Sequence, residues 1–266
     1  MISSTSMADK EGLHWIYLSP HLDDAALSCG GLIWEQVQAG AQVSIWTICA
    51  GDPPDIPLSP FAESLHRRWQ VSQDAAQERR LEDVLSCQRL GASFHHFTIP
   101  DCIYRQSADR QNFLYDSENA IFGPIHSDEA CLIEKLSEEI ASRLPVRASL
   151  VSPLALGGHV DHRLTRAAAE HLGWHLWFYP DYPYVAKSER EIDWLRQDGW
   201  DSVVYSISPA GLAAWQASIA AHASQISTFW PDLDAMRAAI KAYKEQYDGL
   251  QLLRQDYSQS TNLQFE

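Results

Sequence analysis

The pattern that most restricts the fold is an alternation of short apolar runs with amphipathic stretches through the first two-thirds of the chain. HWIYLSP (14–20) carries the run Trp15-Ile16-Tyr17-Leu18 and stops at Ser19-Pro20, as a buried strand does. AALSCGGLIWEQVQAG (25–40) then reads as a helix, with Gly40 placed to cap its carboxyl end. AQVSIWTICAG is a second strand, and the proline-rich DPPDIPLSP after it is a loop. A long helical stretch runs from about Ala62 to Leu90 and closes at Gly91, SFHHFTIP is a third strand, and a loop covers roughly 101–126. SDEACLIEKLSEEIASRL is an amphipathic helix that opens with Ser127 and acids, which suit a helix N-terminus. ASLVSPLALGG, HVDHRLTRAAAEHLG and WHLWFYP follow as strand, helix and strand.

Repeated strand–helix units predict an α/β fold: a Rossmann-like, mostly parallel sheet with helices on both faces. The rest of the chain leaves this rhythm. DSVVYSIS is a strand, and SPAGLAAWQASIAAHASQI and PDLDAMRAAIKAYKEQYDGL are helices, so a C-terminal strand and helical extension are expected. The expected organisation is one domain: a loose polar tail over 1–12, an α/β core over 13–180, and a substrate-side and helical extension over 181–266. A chain of 266 residues can bury a core of that size.

Open α/β sheets bind ligands beyond the carboxyl ends of their strands. His21, Asp23 and Asp24 follow the first strand, and His159 and His162 follow the fourth. Two adjacent carboxylates near a core repel each other unless a cation compensates, and a metal ion would do so. Zinc takes imidazole nitrogen and carboxylate oxygen, and a catalytic site keeps a position open for water. His21, Asp24 and His162 supply three such ligands. Asp23, beside the metal but not on it, can take a proton from that water. His159 and His162 are spaced i, i+3, so both can point from one helix start toward the rim, His159 to substrate and His162 to metal. Each fragment has a plain alternative. Asp-Asp before a helix caps it, and HxxH sits on a solvated face. Joint placement at two strand ends is what sets these residues apart.

SPHLDDAALSCGG together with GGHVDHRLTRAA resembles the LmbE-like/PIG-L family of metal-dependent de-N-acetylases. Between them, ERRLEDVLSCQRLGASFHHFTIPDCIYR resembles the family's Arg–Glu helix, Leu-Gly turn and strand ending in Asp. FYPDYPY and HASQI resemble its aromatic loop and Ser-Gln helix. The resemblance covers most of the chain. It implies metal ligands His21, Asp24 and His162, general base Asp23, His159 as second catalytic group, and substrate roles for Arg79 and Asp101. The implied reaction is hydrolysis of an N-acetyl group from a GlcNAc-type amino sugar or its conjugate, with Zn2+ as cofactor and Fe2+ as the alternative. Where the family usually reads His-Pro-Asp-Asp-Glu, this chain has Leu22 and Ala25, which removes no ligand but bears on the substrate. An amidase acting on a larger acyl or conjugate group, or a catalytically silent carbohydrate-binding protein, are the other readings of the same site.

Tyr182, in the aromatic loop, is a candidate for stacking on a sugar face, with Tyr179 and Tyr184 beside it. His222 and Gln225 read as helix packing. No GxSxG elbow is present and nothing pairs Cys29 with a base, so a covalent acyl-enzyme is disfavoured. The balance of 20 Lys+Arg against 35 Asp+Glu, a net charge of -15, argues against nucleic acid as a partner. The five cysteines are scattered without a CxxC pair, which suits free thiols. With a polar N-terminus and no apolar run long enough to span a membrane, the expected setting is the cytoplasm. A homo-oligomer is left open.

Overall fold

A computed structural model of the chain describes residues 14–69, 75–187 and 198–255, together with Ile192 and Leu195. The core elements run β1 (His14–Ser19), α1 (Asp24–Gln38), β2 (Gln42–Thr47), α2 (Pro60–Trp69), α3 (Ala75–Leu90) and β3 (Ser93–His96). They continue α4 (Glu118–Ile121), α5 (Ala130–Arg143), β4 (Ala148–Pro153), α6 (Val160–His171) and β5 (Trp177–Tyr179). The extension holds β6 (Trp200–Tyr205), α7 (Pro209–Ala221), α8 (Ala223–Phe229), α9 (Leu233–Gln246) and β7 (Leu250–Gln255).

One sheet takes the order β3-β2-β1-β4-β5-β7-β6. Its first five strands are parallel, and β7 runs antiparallel to both of its neighbours. The first strand is central, paired to β2 on one side and β4 on the other, so the strand order reverses there. This reversal opens a crevice at the carboxyl ends of β1 and β4, where α/β sheets bind ligands. Parallel strands buried on both faces need continuous apolar runs. Trp15, Ile16, Tyr17 and Leu18 meet that need and are buried. Each such side chain contributes roughly 1.5–3 kcal/mol by leaving water. The Tyr17 hydroxyl among them donates to Gln36 Oε1 at 2.9 Å.

Helices α1, α3 and α7 pack on one another, and α5 packs on α6. Close approach of α1 to α7 depends on Gly30, where a Cβ would lie 2.5 Å from Trp215 Cδ1. The Trp215 indole N–H then reaches Ala26 O at 2.8 Å, which fixes α7 against the start of α1.

Three details differ from the sequence pattern. The helical stretch at 62–90 comprises α2 and α3, with residues 70–74 outside the described set. The helix expected across SPAGLAAWQASIAAHASQI is two helices, because His222 between them takes φ -83 and ψ 61. Finally, β7 went unassigned, since LQLLRQ is leucine-rich and lacks the β-branched residues that mark strands.

Candidate active site

The turn after β1 answers the question of the paired acids. Asp23 occupies the N-cap position of α1, yet its side chain makes no capping hydrogen bond. The Ser19 hydroxyl instead accepts from Ala25 N at 3.0 Å. Relieved of capping, both carboxylates are buried and face other partners. Asp24 Oδ2 accepts from His21 N at 2.8 Å and lies 3.1 Å from His21 Nδ1 and 3.3 Å from His162 Nε2. Asp23 Oδ1 lies 3.5 Å from Arg79 Nη2.

His162 reaches the same point from α6, and His159 sits one turn earlier at that helix's N-cap. The His159 Nδ1 accepts from Asp161 N at 3.3 Å, so the neutral ring carries its proton on Nε2. One cavity of about 270 Å3 collects His21, Asp23, Asp24, Arg79, Asp101, His159 and His162 along its walls. His21 and His162, far apart in the chain, thus share one chamber, as the two strand ends imply.

Arg79 is buried rather than a solvated helix-surface charge, and its guanidinium lies over the Trp69 ring at 5.1 Å. Asp101 does two things at once. Its Oδ1 accepts from Ile103 N at 3.2 Å and turns the loop. Its Oδ2 faces Arg79 Nη1 at 3.9 Å and His21 Nε2 at 3.8 Å. Tyr182 is placed differently from expectation. Its ring stacks on Trp230 and packs on Tyr243, and it is absent from the cavity lining. Tyr184, two residues on, lines the cavity edge-on to His162. A cis peptide joins Tyr182 to Pro183 in the same loop. Gln225, read as packing, also lines the cavity, whereas His222 is buried.

Two supports were missed. Asp181 Oδ1 lies 2.7 Å from His162 Nδ1 and Oδ2 accepts from Leu156 N at 3.0 Å. Asp161 Oδ2 lies 3.0 Å from His21 Nε2. Both residues stood within the quoted motifs, as the aspartates of FYPDYPY and HVDH, and the i, i-1 position of Asp161 beside a proposed ligand was the available signal.

Electrostatics separate the acids. Burial, then Asp24, raises the Asp23 carboxyl to about 6, against the pull of Arg79. Burial also penalises the Asp24 carboxylate, but His162 and His21 outweigh it and hold the group well below the usual range. Burial lowers His162, yet Asp24 and Asp181 outweigh that and lift it to about 10. His21 behaves alike: burial opposes the cation, and Asp101, Asp161 and Asp24 together hold it well above the ordinary value. His159 goes the other way, down to about 3, from burial first and the neighbouring His21 next.

Of five carboxylates here, Asp23 and Asp101 face Arg79, Asp161 pairs with Arg105, and Asp24 and Asp181 face His21 and His162. Such an excess of buried negative charge favours a cation. The donors also fit one. Bonds of about 2.0–2.1 Å in a tetrahedral zinc site place neighbouring ligand atoms about 3.3 Å apart, and two edges at Asp24 Oδ2 are 3.1 and 3.3 Å. His21, His159 and His162 also form a looser triad with ring nitrogens within 4.8 Å. Asp24 Oδ2 makes two short edges, to His21 and to His162, while His159 keeps its capping bond.

Comparison with known proteins gives the family. The family model described as "GlcNAc-PI de-N-acetylase" matches residues 16–172, which contain both strand-end clusters. The chain belongs to the GlcNAc-PI de-N-acetylase (PIG-L) family. A 2'-N-acetylparomamine deacetylase of Niallia circulans is 30% identical over 203 residues, covering 70% of this chain and 71% of that protein. A second 2'-N-acetylparomamine deacetylase, from Streptomyces fradiae, is 28% identical over 181 residues, 65% of this chain and 58% of that one. The fold matches a zinc-inhibited form of teicoplanin deacetylase with a TM-score of 0.73 at 23% identity, over 92% of this chain and 100% of that structure. A deacetylase of an antimicrobial pseudoaglycone gives 0.67 at 27% identity, over 90% and 95%. Membership makes this chain a deacetylase, and among the described residues no helix is long and apolar enough to cross a membrane.

Proposed function

We propose that this deacetylase is zinc-dependent and hydrolyses the N-acetyl group of an amino sugar within a larger conjugate, with His21, Asp24 and His162 holding the ion. The observation that carries the reading is Asp23. It occupies a cap position without capping, lies beside Arg79, and shares one cavity with the three ligands. A bound divalent ion supplies Lewis acidity, which makes water more acidic and polarises an acyl oxygen.

The chain's own groups do the rest. With its carboxyl raised to about 6, Asp23 is ionised at neutral pH yet basic enough to accept a proton from the attacking water. Arg79 keeps it charged and aimed. His159, neutral and protonated on Nε2, presents a hydrogen-bond donor at the chamber wall, suited to the oxygen on which charge develops. A ring held near 3 carries no second proton to give at neutral pH. The proton for the leaving amine therefore returns from Asp23, which took it. Oxygen from water ends on acetate, and the amine gains one proton. Asp101 and Arg79 offer an acceptor and a donor to sugar hydroxyls, and Tyr184 offers the ring face expected of Tyr182. The cytoplasm remains the proposed setting.

The relatives named above are deacetylases of 2'-N-acetylparomamine, of teicoplanin and of an antimicrobial pseudoaglycone, which directs the choice of substrates. The test is acetate release from a panel of N-acetylated aminoglycoside fragments, pseudoaglycones and free N-acetylglucosamine, before and after chelation and zinc return. Release that stops with chelation and resumes with zinc is the expected result. Undiminished release from fully demetallated protein would overturn zinc dependence, and no release from any acetamide would overturn the substrate class.

A further inference from the structure

Behind His21 lies a line of buried ions that the chemistry above does not use. Asp161 commits each carboxylate oxygen. Its Oδ2 accepts from Cys102 N at 3.0 Å and faces His21 Nε2 at 3.0 Å. Its Oδ1 accepts from Arg105 Nη1. Arg105 in turn spends its whole fork. Nη1 also donates to Pro100 O at 3.3 Å, Nε donates to Glu129 Oε1, and Nη2 donates to Glu129 Oε2 at 3.2 Å. Tyr115 closes the line, its hydroxyl donating to Glu129 Oε2 at 2.6 Å and accepting from His126 N at 2.8 Å. All three charged side chains are at least nine-tenths buried. Their sources are three separate segments: the turn after β3, the turn before α5, and the first turn of α6.

The line ends on a proposed ligand, and that gives it a consequence. With its Nε2–H donating to Asp161, His21 turns Nδ1 toward Asp24 Oδ2, and a bound ion that displaced the second proton would leave the ring as its Nε2–H tautomer. A ligand imidazole needs that tautomer and that ring plane. The carboxylate can set them only if it cannot itself rotate. The guanidinium prevents rotation, because its planar fork holds Asp161 on one side and Glu129 bidentately on the other. A lysine would preserve the charge but not this geometry.

We propose that Arg105, braced by Glu129, is a positioning residue for the metal site: it fixes the Asp161 carboxylate, which fixes His21 as a ligand. The proposal rests on the reading of His21, Asp24 and His162 as the metal site. Holding residues of this kind commonly alter metal affinity by roughly 10–100-fold.

The experiment measures zinc affinity by competition with a chromophoric chelator, on the full chain, for the parent and for Arg105→Lys, Asp161→Asn and the double variant. Apo-protein thermal unfolding is followed alongside, and Glu129→Gln serves as a milder variant if Arg105→Lys does not fold. Arg105→Lys should weaken zinc binding at least tenfold, while kcat at saturating zinc stays within a few-fold of parent. In the Asp161→Asn background the same change should add little, because the route through Asp161 is already cut. Glu129→Gln should weaken affinity in the same direction by a smaller factor. A lowered unfolding temperature with zinc affinity within twofold of parent would overturn the proposal and leave Arg105 a structural ion. Full additivity of the two substitutions would overturn the route through Asp161. A parent protein that binds no zinc, or binds it unchanged after His21→Ala, would overturn the metal-site reading and this inference with it.

Discussion

The two sides of the catalytic chamber differ in how completely their polar atoms are paired. On the side toward β4 and α6, His162 is held by Asp181, His21 by Asp161, and Asp161 by Arg105. On the side toward α3 and α8, Arg79 Nε, His222 Nε2 and Thr228 Oγ1 are buried without a hydrogen-bond partner. An unpaired buried polar group costs about 1–3 kcal/mol, so a fold retains several in one place only where something compensates. Arg79 and Thr228 line the cavity. On the proposed reading the paired side would hold an ion in place, and the unpaired side would keep hydrogen-bonding capacity for a polyhydroxylated ligand.

Five substitutions test that division, in decreasing order of effect. Asp23→Asn, at the junction of the two sides, should lower kcat by roughly 10²–10⁴-fold, the range for losing a general base. Zinc content should be unchanged. Recovery of near-parental kcat at high zinc would show that Asp23 belongs to the holding side. Asp181→Asn, wholly on the holding side, should weaken zinc affinity roughly 10–100-fold with kcat largely restored at saturating zinc. A pure kcat defect would blur the boundary.

His222 gives a test that reads pH. Burial chiefly, with Arg79 adding to it, lowers its imidazole to about 3. The unfolded chain has an ordinary histidine near 6.5, so below that value the unfolded state binds a proton that the folded state refuses. Stability from this neutral ring is complete above about 6.5 and falls as pH drops toward 3, by about 2 kcal/mol at pH 5. His222→Gln, which cannot titrate, should show a shallower loss of urea stability between pH 7 and pH 5 than the parent. Parallel profiles would mean that the ring is solvated or paired. The smallest effect should come from the aromatic loop. Tyr184→Ala should raise KM by about tenfold or less with little change in kcat, as for contacts made equally in ground and transition states. Tyr182→Ala should instead lower stability, because its ring packs on Trp230 and Tyr243. The reverse pattern would return the stacking role to Tyr182.

The parallel half of the sheet was legible because Trp15–Leu18 and its counterparts are continuous apolar runs, which only doubly covered strands require. The placement of His21, Asp23, Asp24, His159 and His162 at one rim followed from strand ends alone. What escaped was set by tertiary contact. Asp181 and Asp161 read as ordinary turn and helix-start acids until His162 and His21 are brought against them. The swap between Tyr182 and Tyr184 is equally unreadable, since two tyrosines two positions apart share one composition and only the loop's path decides which faces the chamber. The β7 segment fails on propensity, because its leucines suit helix as well as strand and its pairing partners lie 45 or more residues earlier.

That strand also orders events during synthesis. Residues 250–255 enter the sheet between β5 and β6, so β6 gains its hydrogen-bonded partner only after the ribosome has made the segment nearly fifty residues further on. Until then Phe178, which pairs with Leu253, belongs to an open edge, and open edges are where unfinished chains aggregate. Asp181 lies two residues beyond that edge and steadies His162. A nascent chain can therefore lay down β1, β4 and both strand-end clusters early and still lack a sealed sheet beside them until β7 arrives.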